Sequence, residues 1–263
     1  MTQISVAIIT KNEEAHIGAC LQTARWADEI VVVDSQSSDT TVKIAQDHGA
    51  KVFVRPFENF ADQKNFAVSK ATKPWVFSLD ADESIPEGLQ KELRGKIQDS
   101  QALPGYYVPR DNYIFGRCLR FGGQGQDRQM RLFRRDKVKF KNVVHEEVEI
   151  NGPTGTLESP LSHHTLDNLN DYFKKLAQYT DLEVHRMKEK GITYHWTQLA
   201  IKPWLRFFYT YIVQGGFLDG YQGFLFHSLS AFYAFVKYAK LREAENAPPP
   251  QPSPVKGLII KSQ

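Results

Sequence analysis

Short apolar runs alternate with amphipathic segments through roughly the first hundred residues of the chain. The apolar runs cover residues 4–9, 29–34, 51–54 and 75–79. Segments with apolar residues at helical spacing lie between them, at residues 17–24, 42–49 and 61–71. Continuous apolar runs of this length are typical of buried strands in a parallel sheet, and their alternation with helices predicts βαβ units. We therefore predict an α/β fold with a mostly parallel central sheet covered on both faces.

Polar side chains stand at the ends of three of these predicted strands. Thr10 and Asn12 follow the first strand, Asp34 ends the second, and Asp80 ends the fourth. Right-handed crossovers bring the carboxyl ends of such strands to one edge of the sheet. Ligands of open α/β sheets bind at that edge, which is therefore the predicted active site.

One small residue separates Asp80 from Asp82. Two carboxylates this close repel each other unless a proton or a cation relieves them. A divalent cation held by one or two carboxylates and by the phosphates of a substrate would satisfy this pair. The alternative is a simple turn in which Asp82 and Ser84 cap a helix that begins near Pro86. This stretch alone leaves both interpretations open.

The pattern changes after Gln98. Strands are predicted at residues 105–109 and 130–133, a hairpin at 138–150, and a long helix from about 168 to 190. The hairpin contains His145 and Glu146.

Residues 196–241 are dense in Phe, Tyr and Leu. At helical spacing, one stripe contains Leu225, Leu229, Phe232 and Val236, and beside it lie Phe224, Ala231, Phe235 and Tyr238. One interpretation is a helical pair that packs on the rest of the protein. The other, which we favour, is a helix lying in a membrane interface with Lys237, Lys240 and Arg242 at its wet edge. The proline-rich residues 244–263 are expected to be a disordered tail.

Composition limits the possible functions. The chain has 263 residues, of which 41% are hydrophobic and 24% charged, as in globular proteins. A net charge of +3 is too small to indicate nucleic acid as a partner, but it suits an anionic substrate or an anionic membrane surface. Two cysteines form no disulfide or zinc pattern, and no signal peptide or spanning stretch is visible. We expect a cytoplasmic protein, peripheral on the inner face of the cytoplasmic membrane.

Four blocks in register carry a family resemblance: residues 8–14, 31–41, 63–67 and 79–83. Their order and spacing resemble the family 2 inverting glycosyltransferases, which have the GT-A fold. Later segments resemble the branch that includes the lipopolysaccharide inner-core β-1,4-glucosyltransferases, at residues 116–117, 127–129, 131–135, 144–146 and 216–220. The resemblance covers roughly residues 3–243.

The resemblance also implies a division of the chain. It implies a GT-A (Rossmann-like) catalytic domain over residues 1–165, with a nucleotide-binding half to about 100 and an acceptor half beyond it. A helical membrane-surface extension then follows over residues 166–243.

The resemblance assigns roles in binding a nucleotide-sugar donor. The residues expected to contact the base, the ribose or the rest of the nucleotide are Thr10, Asn12, Glu13, Asp34, Lys64, Asn65 and Asp80. Asp82, with His145, is expected to hold Mg²⁺ or Mn²⁺ against the diphosphate. Taken singly, Asp34 also fits helix capping and Lys64 a solvated helix face.

Inversion by direct displacement needs a base on the acceptor hydroxyl. Asp127 occupies the acidic position of the family before the Arg-Leu-Phe strand and is the first candidate, and Glu146 is the second. His145 and Glu146 also fit the exposed polar face of a hairpin.

The predicted function is transfer of a hexose, expected to be glucose from UDP-glucose, to a lipopolysaccharide core or similar lipid-linked saccharide. Alternative acceptors are a polyprenyl phosphate or a peptide. A nucleotidyltransferase would need a glycine-rich basic loop where residues 10–14 stand, and a non-catalytic module would bind the donor without transferring it. No Gln-x-x-Arg-Trp motif is present, which argues against a processive polymerase.

Overall fold

The structure is a computed structural model that describes residues 2–141 and 147–246. The strands are β1 (Ile4–Thr10), β2 (Glu29–Asp34), β3 (Lys51–Val54), β4 (Trp75–Asp80), β5 (Glu83–Ser84), β6 (Gly105–Ile114), β7 (Arg117–Leu119), β8 (Arg128–Arg134), β9 (Val138–Lys141), β10 (Glu147–Ile150), β11 (Thr154–Thr156) and β12 (Leu161–Leu166). The α-helices are α1 (Ile17–Ala24), α2 (Thr41–Asp47), α3 (Phe60–Lys70), α4 (Glu87–Gln98), α5 (Leu169–Glu189), α6 (Trp196–Ala200), α7 (Lys202–Phe207) and α8 (Gly220–Asn246). A π-helix covers Phe208–Val213, and 3₁₀ turns cover Gln124–Gln126, Arg135–Lys137 and Gly216–Asp219.

The central sheet follows the order β3-β2-β1-β4-β8-β6-β12-β5, and β7 and β11 also pair with β6. Strands β1 to β4 are mutually parallel, whereas β8 runs antiparallel between β4 and β6. This mixed arrangement confirms the predicted α/β class with a mostly parallel first half. The predicted bounds of β2, β3 and α1 match the structure.

Side chains alternate between the two faces of β1 and β4 because successive strand residues point in opposite directions. On one face, Val6 and Phe77 pack with α1 and α4. On the other face, Ala7 and Val76 pack with α3 and β9. Each fully buried side chain of this size contributes roughly 1.5–3 kcal/mol to stability, so both layers hold the sheet edge in place.

Strand β6 is longer than the sequence pattern indicated. It continues beyond Pro109 through Arg110, Asp111 and Asn112 to Ile114, pairing with β12 and β7 there. These polar residues gave no strand signal because they interrupt the apolar pattern, and Arg110 and Asn112 make polar contacts with Asp127 instead of packing in an apolar core.

The predicted hairpin is confirmed by antiparallel pairing of β9 with β10. Its tip, with His145 and Glu146, lies outside the described residues.

Helix α8 packs one face on α5, where Leu229, Tyr233 and Val236 contact the cluster around Tyr172 and Leu176. The predicted stripe was wrong in joining Phe232 to Leu229 and Val236. Phe232 is 43% exposed and lies on another face with Phe224 and Phe235. The helix is therefore apolar on two faces, one packed and one open.

Helix α8 also continues to Asn246, three residues into the predicted tail. The rest of that tail lies outside the described residues. Within residues 2–141 and 147–246, no helix combines the length and apolar character needed to cross a membrane.

Candidate active site

Strand register places the predicted polar strand ends at one edge of the sheet. Thr10 lies opposite Asp34 in the β1–β2 pair, and Ile9 lies opposite Asp80 in the β1–β4 pair. All of these strands are parallel, so their carboxyl ends meet. The edge predicted from the sequence is therefore present, with the side chains of Thr10, Asp34 and Asp80 at its rim.

The loops after β1 and β2 are held together by side chains. Asp34 accepts hydrogen bonds from the backbone nitrogen and hydroxyl of Ser37, at 2.8 and 2.5 Å. The Ser37 hydroxyl accepts from the backbone of Asn12, whose side chain accepts from the Ser38 backbone at 2.8 Å. Asn12 adopts a φ of 54°, a conformation that Asn tolerates better than most residues. Asn12 and Asp34 thus shape the rim, and their contact with a donor stays a prediction.

Two buried polar atoms beside this rim have no hydrogen-bond partner among the described residues. They are the hydroxyl of Thr10 and the amide oxygen of Gln63, which are both sealed from solvent. Gln63 is fixed by its amide nitrogen, which donates to the Ser35 hydroxyl at 2.9 Å. Buried polar atoms normally have partners, so an unsatisfied pair at a strand edge is consistent with a site for a polar ligand.

A network of ion pairs lies behind Asp80. The Arg131 guanidinium donates to Asp80 at 2.6 Å and to Glu83 at 2.5 Å, and the ammonium of Lys64 lies 3.5 Å from Asp80. Arg110 reaches the same Glu83 carboxylate at 3.2 Å. Arg131 and Glu83 are almost wholly buried. The network therefore fixes the Asp80 carboxylate in place.

Charge explains the protonation states in this network. Burial alone would raise the pKa of Asp80, but the cations of Arg131 and Lys64 outweigh it and hold that pKa well below its usual range. Burial raises the pKa of Glu83, an effect that Arg131 only partly offsets. Asp80 is consequently a fixed anion, while Glu83 is the carboxyl whose charge is harder to maintain.

The Asp127 carboxylate accepts a second set of hydrogen bonds in this site. Arg110 donates to its carboxylate through Nε at 2.8 Å and Nη2 at 2.5 Å, and the Asn112 amide nitrogen lies at 3.3 Å. Burial raises the pKa of Asp127, but Arg110 outweighs burial and lowers it overall. The carboxylate is ionised at neutral pH, which is the state a general base requires.

Asp82 faces His163 across 3.5 Å, from Oδ2 to Nε2. The other ring nitrogen of His163 lies 2.8 Å from the amide oxygen of Asn112. Because the amide nitrogen of Asn112 faces Asp127, its oxygen faces His163, and Nδ1 must donate. Nε2 is therefore the ring nitrogen that faces the Asp82 carboxylate. A carboxylate oxygen and an imidazole nitrogen side by side are two donor types that divalent metals bind.

This donor set fits a divalent metal in part. Carboxylate oxygen and imidazole nitrogen are both common metal ligands, and a diphosphate would supply further oxygens. Among the described residues, no group of three or more His, Cys, Asp or Glu side chains is arranged to hold a metal. Asp82 and His163 form a pair, and a metal held here would depend on ligands from the substrate.

Glu13 lies close to this pair but is engaged elsewhere. Its carboxylate contacts His16 Nδ1 at 2.9 Å, and His16 Nε2 contacts Asp167 at 2.6 Å. Burial raises the pKa of Glu13, and the negative charge of Asp82 adds to that effect while His16 opposes it. The triad connects the loop after β1 to the segment between β12 and α5.

Asn65 makes contacts outside the rim. Both ends of its amide bond the backbone of Phe140, at 2.8 and 3.0 Å, and so fasten α3 to β9. Its predicted contact with the nucleotide stays a prediction, as do the roles of His145 and Glu146.

Sequence reasoning missed several residues of the site: Glu83, Arg110, Asn112, Arg131 and His163. Three of them lie on β6 or β12, whose pairing brings Asn112 opposite His163. The available signal was a polar side chain, such as arginine or asparagine, within a strand that also contains apolar residues. A buried polar or charged group needs a partner.

The sequence profile described as "Glycosyl transferase family 2" matches residues 5–148. The chain therefore belongs to this family and is a transferase, with the GT-A fold class that the resemblance implied. Its relatives point in the same direction. The lipopolysaccharide core biosynthesis glycosyltransferase LpsC of Rhizobium meliloti (strain 1021) is 30% identical, with 90% of this chain aligned to 91% of LpsC.

Other similarities are more distant or less informative. An uncharacterized glycosyltransferase, RT0209 of Rickettsia typhi, is 30% identical over 92% of this chain and 88% of its own. Among solved structures, S. aureus TarS residues 1–349 align with 90% of this chain and 81% of theirs, at 14% identity and a TM-score of 0.46.

Proposed function

We propose that the protein transfers one hexose, with inversion, from a nucleotide-sugar donor to a lipopolysaccharide core or similar lipid-linked saccharide. The expected donor is UDP-glucose. Family membership supports the transfer reaction, and the printed function of LpsC supports an acceptor of the lipopolysaccharide type.

One observation carries the proposal: Asn112 and His163 connect the proposed base to the proposed diphosphate site. Asn112 contacts Asp127 through its amide nitrogen and His163 through its amide oxygen, and His163 faces Asp82. A single chain of contacts therefore relates the group that would activate the acceptor to the group that would hold the leaving diphosphate. Displacement at a sugar needs both groups in a fixed relation.

The donor would lie along the rim of parallel strand ends. The predicted contacts to its base and ribose are Thr10, Asn12 and Asp34, which form this rim. Asp80, held ionised by Arg131 and Lys64, would accept from a ribose hydroxyl. The cations Lys64, Arg110 and Arg131 are already paired with Asp80, Glu83 and Asp127, so the diphosphate would depend on the proposed metal ion for charge neutralisation.

Asp82 and His163 would hold Mg²⁺ or Mn²⁺, together with His145 as predicted. When bound, such an ion neutralises charge on the leaving diphosphate. The remaining steps belong to side chains of this protein. Asp127 would take the proton of the acceptor hydroxyl. At the same time the oxygen of that hydroxyl would bond to the anomeric carbon, and the bond between the anomeric carbon and the diphosphate would break. The proton then passes from Asp127 to water, and nucleoside diphosphate is released.

The acceptor would be presented at a membrane surface. Helices α6, α7 and α8 expose large aromatic side chains, with Trp204 75% and Tyr221 71% exposed. Between α7 and α8 lies an apolar groove of about 760 Å³, whose lining includes Phe207, Phe224 and Phe235. Aromatic residues exposed beside Lys202 and Arg206 are typical of a surface that contacts anionic lipid.

A donor screen tests the proposal. Thermal unfolding is followed with UDP-glucose and other nucleotide sugars, with and without Mn²⁺, and transfer to truncated core lipids is then measured. Stabilisation by UDP-glucose that requires the metal, followed by transfer, would support the proposal. Donor binding without any transfer would instead indicate a non-catalytic binding protein.

A further inference from the structure

A buried carboxylate in the C-terminal region holds the loop between β7 and β8. Asp219 is 3% exposed, and its carboxylate accepts hydrogen bonds from the backbone nitrogens of Arg120, at 3.2 Å, and Phe121, at 2.9 Å. The backbone nitrogen of Gly122 donates to the Gln214 carbonyl at 3.0 Å. Consecutive backbone groups of this loop are therefore bonded by the segment that connects α7 to α8.

The loop and the C-terminal segment approach each other too closely for any residue larger than glycine at three positions. Gly122 has a φ of +65°, and a Cβ there would overlap the ring of His227. A Cβ on Gly216 would overlap the same ring, and one on Gly223 would overlap the Gly216 carbonyl. His227 itself is 1% exposed. Only glycine allows this approach, so the loop and the C-terminal segment form one close-packed unit.

The other end of the loop leads directly to Asp127. The loop folds on itself, since a Cβ on Gly125 would overlap the Arg120 carbonyl. At its end, the backbone nitrogen of Arg110 donates to the Asp127 carbonyl at 3.0 Å. The backbone that places the Asp127 carboxylate is thus fixed by β6 on one side and by Asp219 on the other.

We propose that Asp219 is a positioning residue for Asp127. The C-terminal helical region would in this way help to hold the proposed base in its catalytic position. Bonds from backbone N–H groups to an ionised carboxylate are stronger than neutral ones, so Asp219 can define the position of the loop. Displacement of a reacting group by about 1 Å can cost on the order of a hundredfold in rate. The inference rests on the proposed role of Asp127 as the base.

The test is the Asp219→Asn substitution, which keeps the shape and one acceptor oxygen but removes the charge. We expect turnover to fall by roughly tenfold or more, with the KM for donor changed less than about threefold. Amide hydrogen exchange in residues 120–127 should become faster, because the N–H groups of Arg120 and Phe121 then bond a neutral amide oxygen, which is a weaker acceptor than the carboxylate. Asp219→Ala should increase both effects. The exposed Asp181, which pairs with Lys240 on α8, provides the matched control Asp181→Asn, expected to change neither measurement.

The outcomes separate this inference from the proposed function. Faster exchange in residues 120–127 with full turnover would overturn the inference, as would unchanged exchange in both Asp219 variants. If Asp127→Asn retains turnover while Asp219→Asn loses it, the assignment of Asp127 as base is wrong and the positioning claim for Asp127 is overturned with it. The exchange measurement needs no substrate, so it reports on the loop even if the donor is misidentified. Should Asp219→Ala fail to fold, the isosteric Asn variant still decides.

Discussion

Asp80 and Asp82 are separated by one residue, but their surroundings differ in kind. Asp80 is paired with Lys64 and Arg131, which hold its pKa well below its usual range. Asp82 faces the imidazole of His163. A carboxylate already paired with two cations gains little from a metal, whereas the Asp82 carboxylate has neither a lysine nor an arginine paired with it in the network described above. We therefore propose the metal role for Asp82 rather than for Asp80.

We predict that Asp82→Ala abolishes the metal dependence of donor binding and leaves the thermal transition of the free protein within a few degrees of the original. Its side chain lies at the rim, 20% exposed, so its removal leaves the core intact. Donor titration by calorimetry with and without Mn²⁺ checks this. Asp47→Ala on α2, where the exposed carboxylate pairs with the exposed Lys43, is the control. Metal-dependent binding that survives in Asp82→Ala would contradict the assignment.

For Asp127 we predict that Asn substitution leaves donor affinity nearly unchanged and lowers turnover by roughly a hundredfold or more, the usual scale for loss of a general base. Asparagine keeps the shape of the side chain but cannot take the proton. Steady-state kinetics with a donor titration check both parts. Asp136→Asn, an exposed carboxylate after β8, should retain full turnover. If Glu146→Gln gives the large loss and Asp127→Asn does not, the two roles must be exchanged.

At the scale of secondary-structure elements, one buried acid joins strands at the edge of the sheet opposite the site. Glu29, at the start of β2, accepts from the Ser5 hydroxyl at 2.5 Å, the Lys51 ammonium at 2.7 Å and the Thr72 backbone at 2.7 Å. Burial raises its pKa, but these hydrogen bonds outweigh burial and lower the pKa to about 2. The three partners lie on β1, on β3 and just before β4.

We predict that Glu29→Gln lowers the free energy of unfolding at pH 7 by about 3–3.5 kcal/mol, since the pKa falls from 4.5 to about 2 and each pKa unit corresponds to about 1.4 kcal/mol. The folded pKa is depressed, so this stabilisation is present above the ordinary pKa of 4.5 and is lost as pH falls towards 2. Urea denaturation at several pH values checks the sign. The gap between the two proteins should close at low pH, and a gap independent of pH would show that charge is not the cause.

The elements differ in how far their sequences predicted them. Apolar runs predicted β1, β2 and β4 because those strands are buried on both faces, and they also predicted the short edge strand β3, which is only partly buried. Strand β6 was cut short at Pro109 because Arg110 and Asn112 carry side chains selected for contacts with Asp127. Such pairings join residues distant in sequence, and no local pattern records them. Asp34, Asp80 and Asp82 could be proposed as site residues from the sequence because they stand at or just after the ends of apolar strands. The apolar run is a local pattern, and its end marks the sheet edge where the candidate site lies.

At the scale of the whole molecule, the C-terminal helices have both a packed apolar face and an open apolar face, which the sequence presented as alternatives. One face of α8 packs on α5, and another, with Phe224 and Phe235, is open towards the groove beside α7. Periodicity showed that the segment was helical and apolar, but it could not show which stripe is covered. Deletion from residue 203 would remove the packed face and Asp219 as well, so single substitutions on the open face are the better test of membrane attachment.

We predict that Trp204→Ser weakens binding to anionic vesicles by roughly tenfold at low salt and leaves the thermal transition nearly unchanged, because this side chain is 75% exposed. Vesicle flotation beside a melting curve measures both. Phe60→Ser, at an exposed aromatic residue on α3, is the control and should bind like the original protein. Equal loss in both variants, or no vesicle binding by the original protein, would contradict a membrane surface formed by α6 to α8.

The central claim is transfer of a hexose from UDP-glucose to a lipid-linked saccharide core. Mass spectrometry of a truncated core lipid, incubated with the full chain, UDP-glucose and Mn²⁺, tests it most directly. We expect the lipid to gain one hexose, the gain to require the donor, and Asp127→Asn nearly to abolish it. A core lipid that stays unmodified, while the same protein transfers the sugar to a polyprenyl phosphate or a peptide, would contradict the claim.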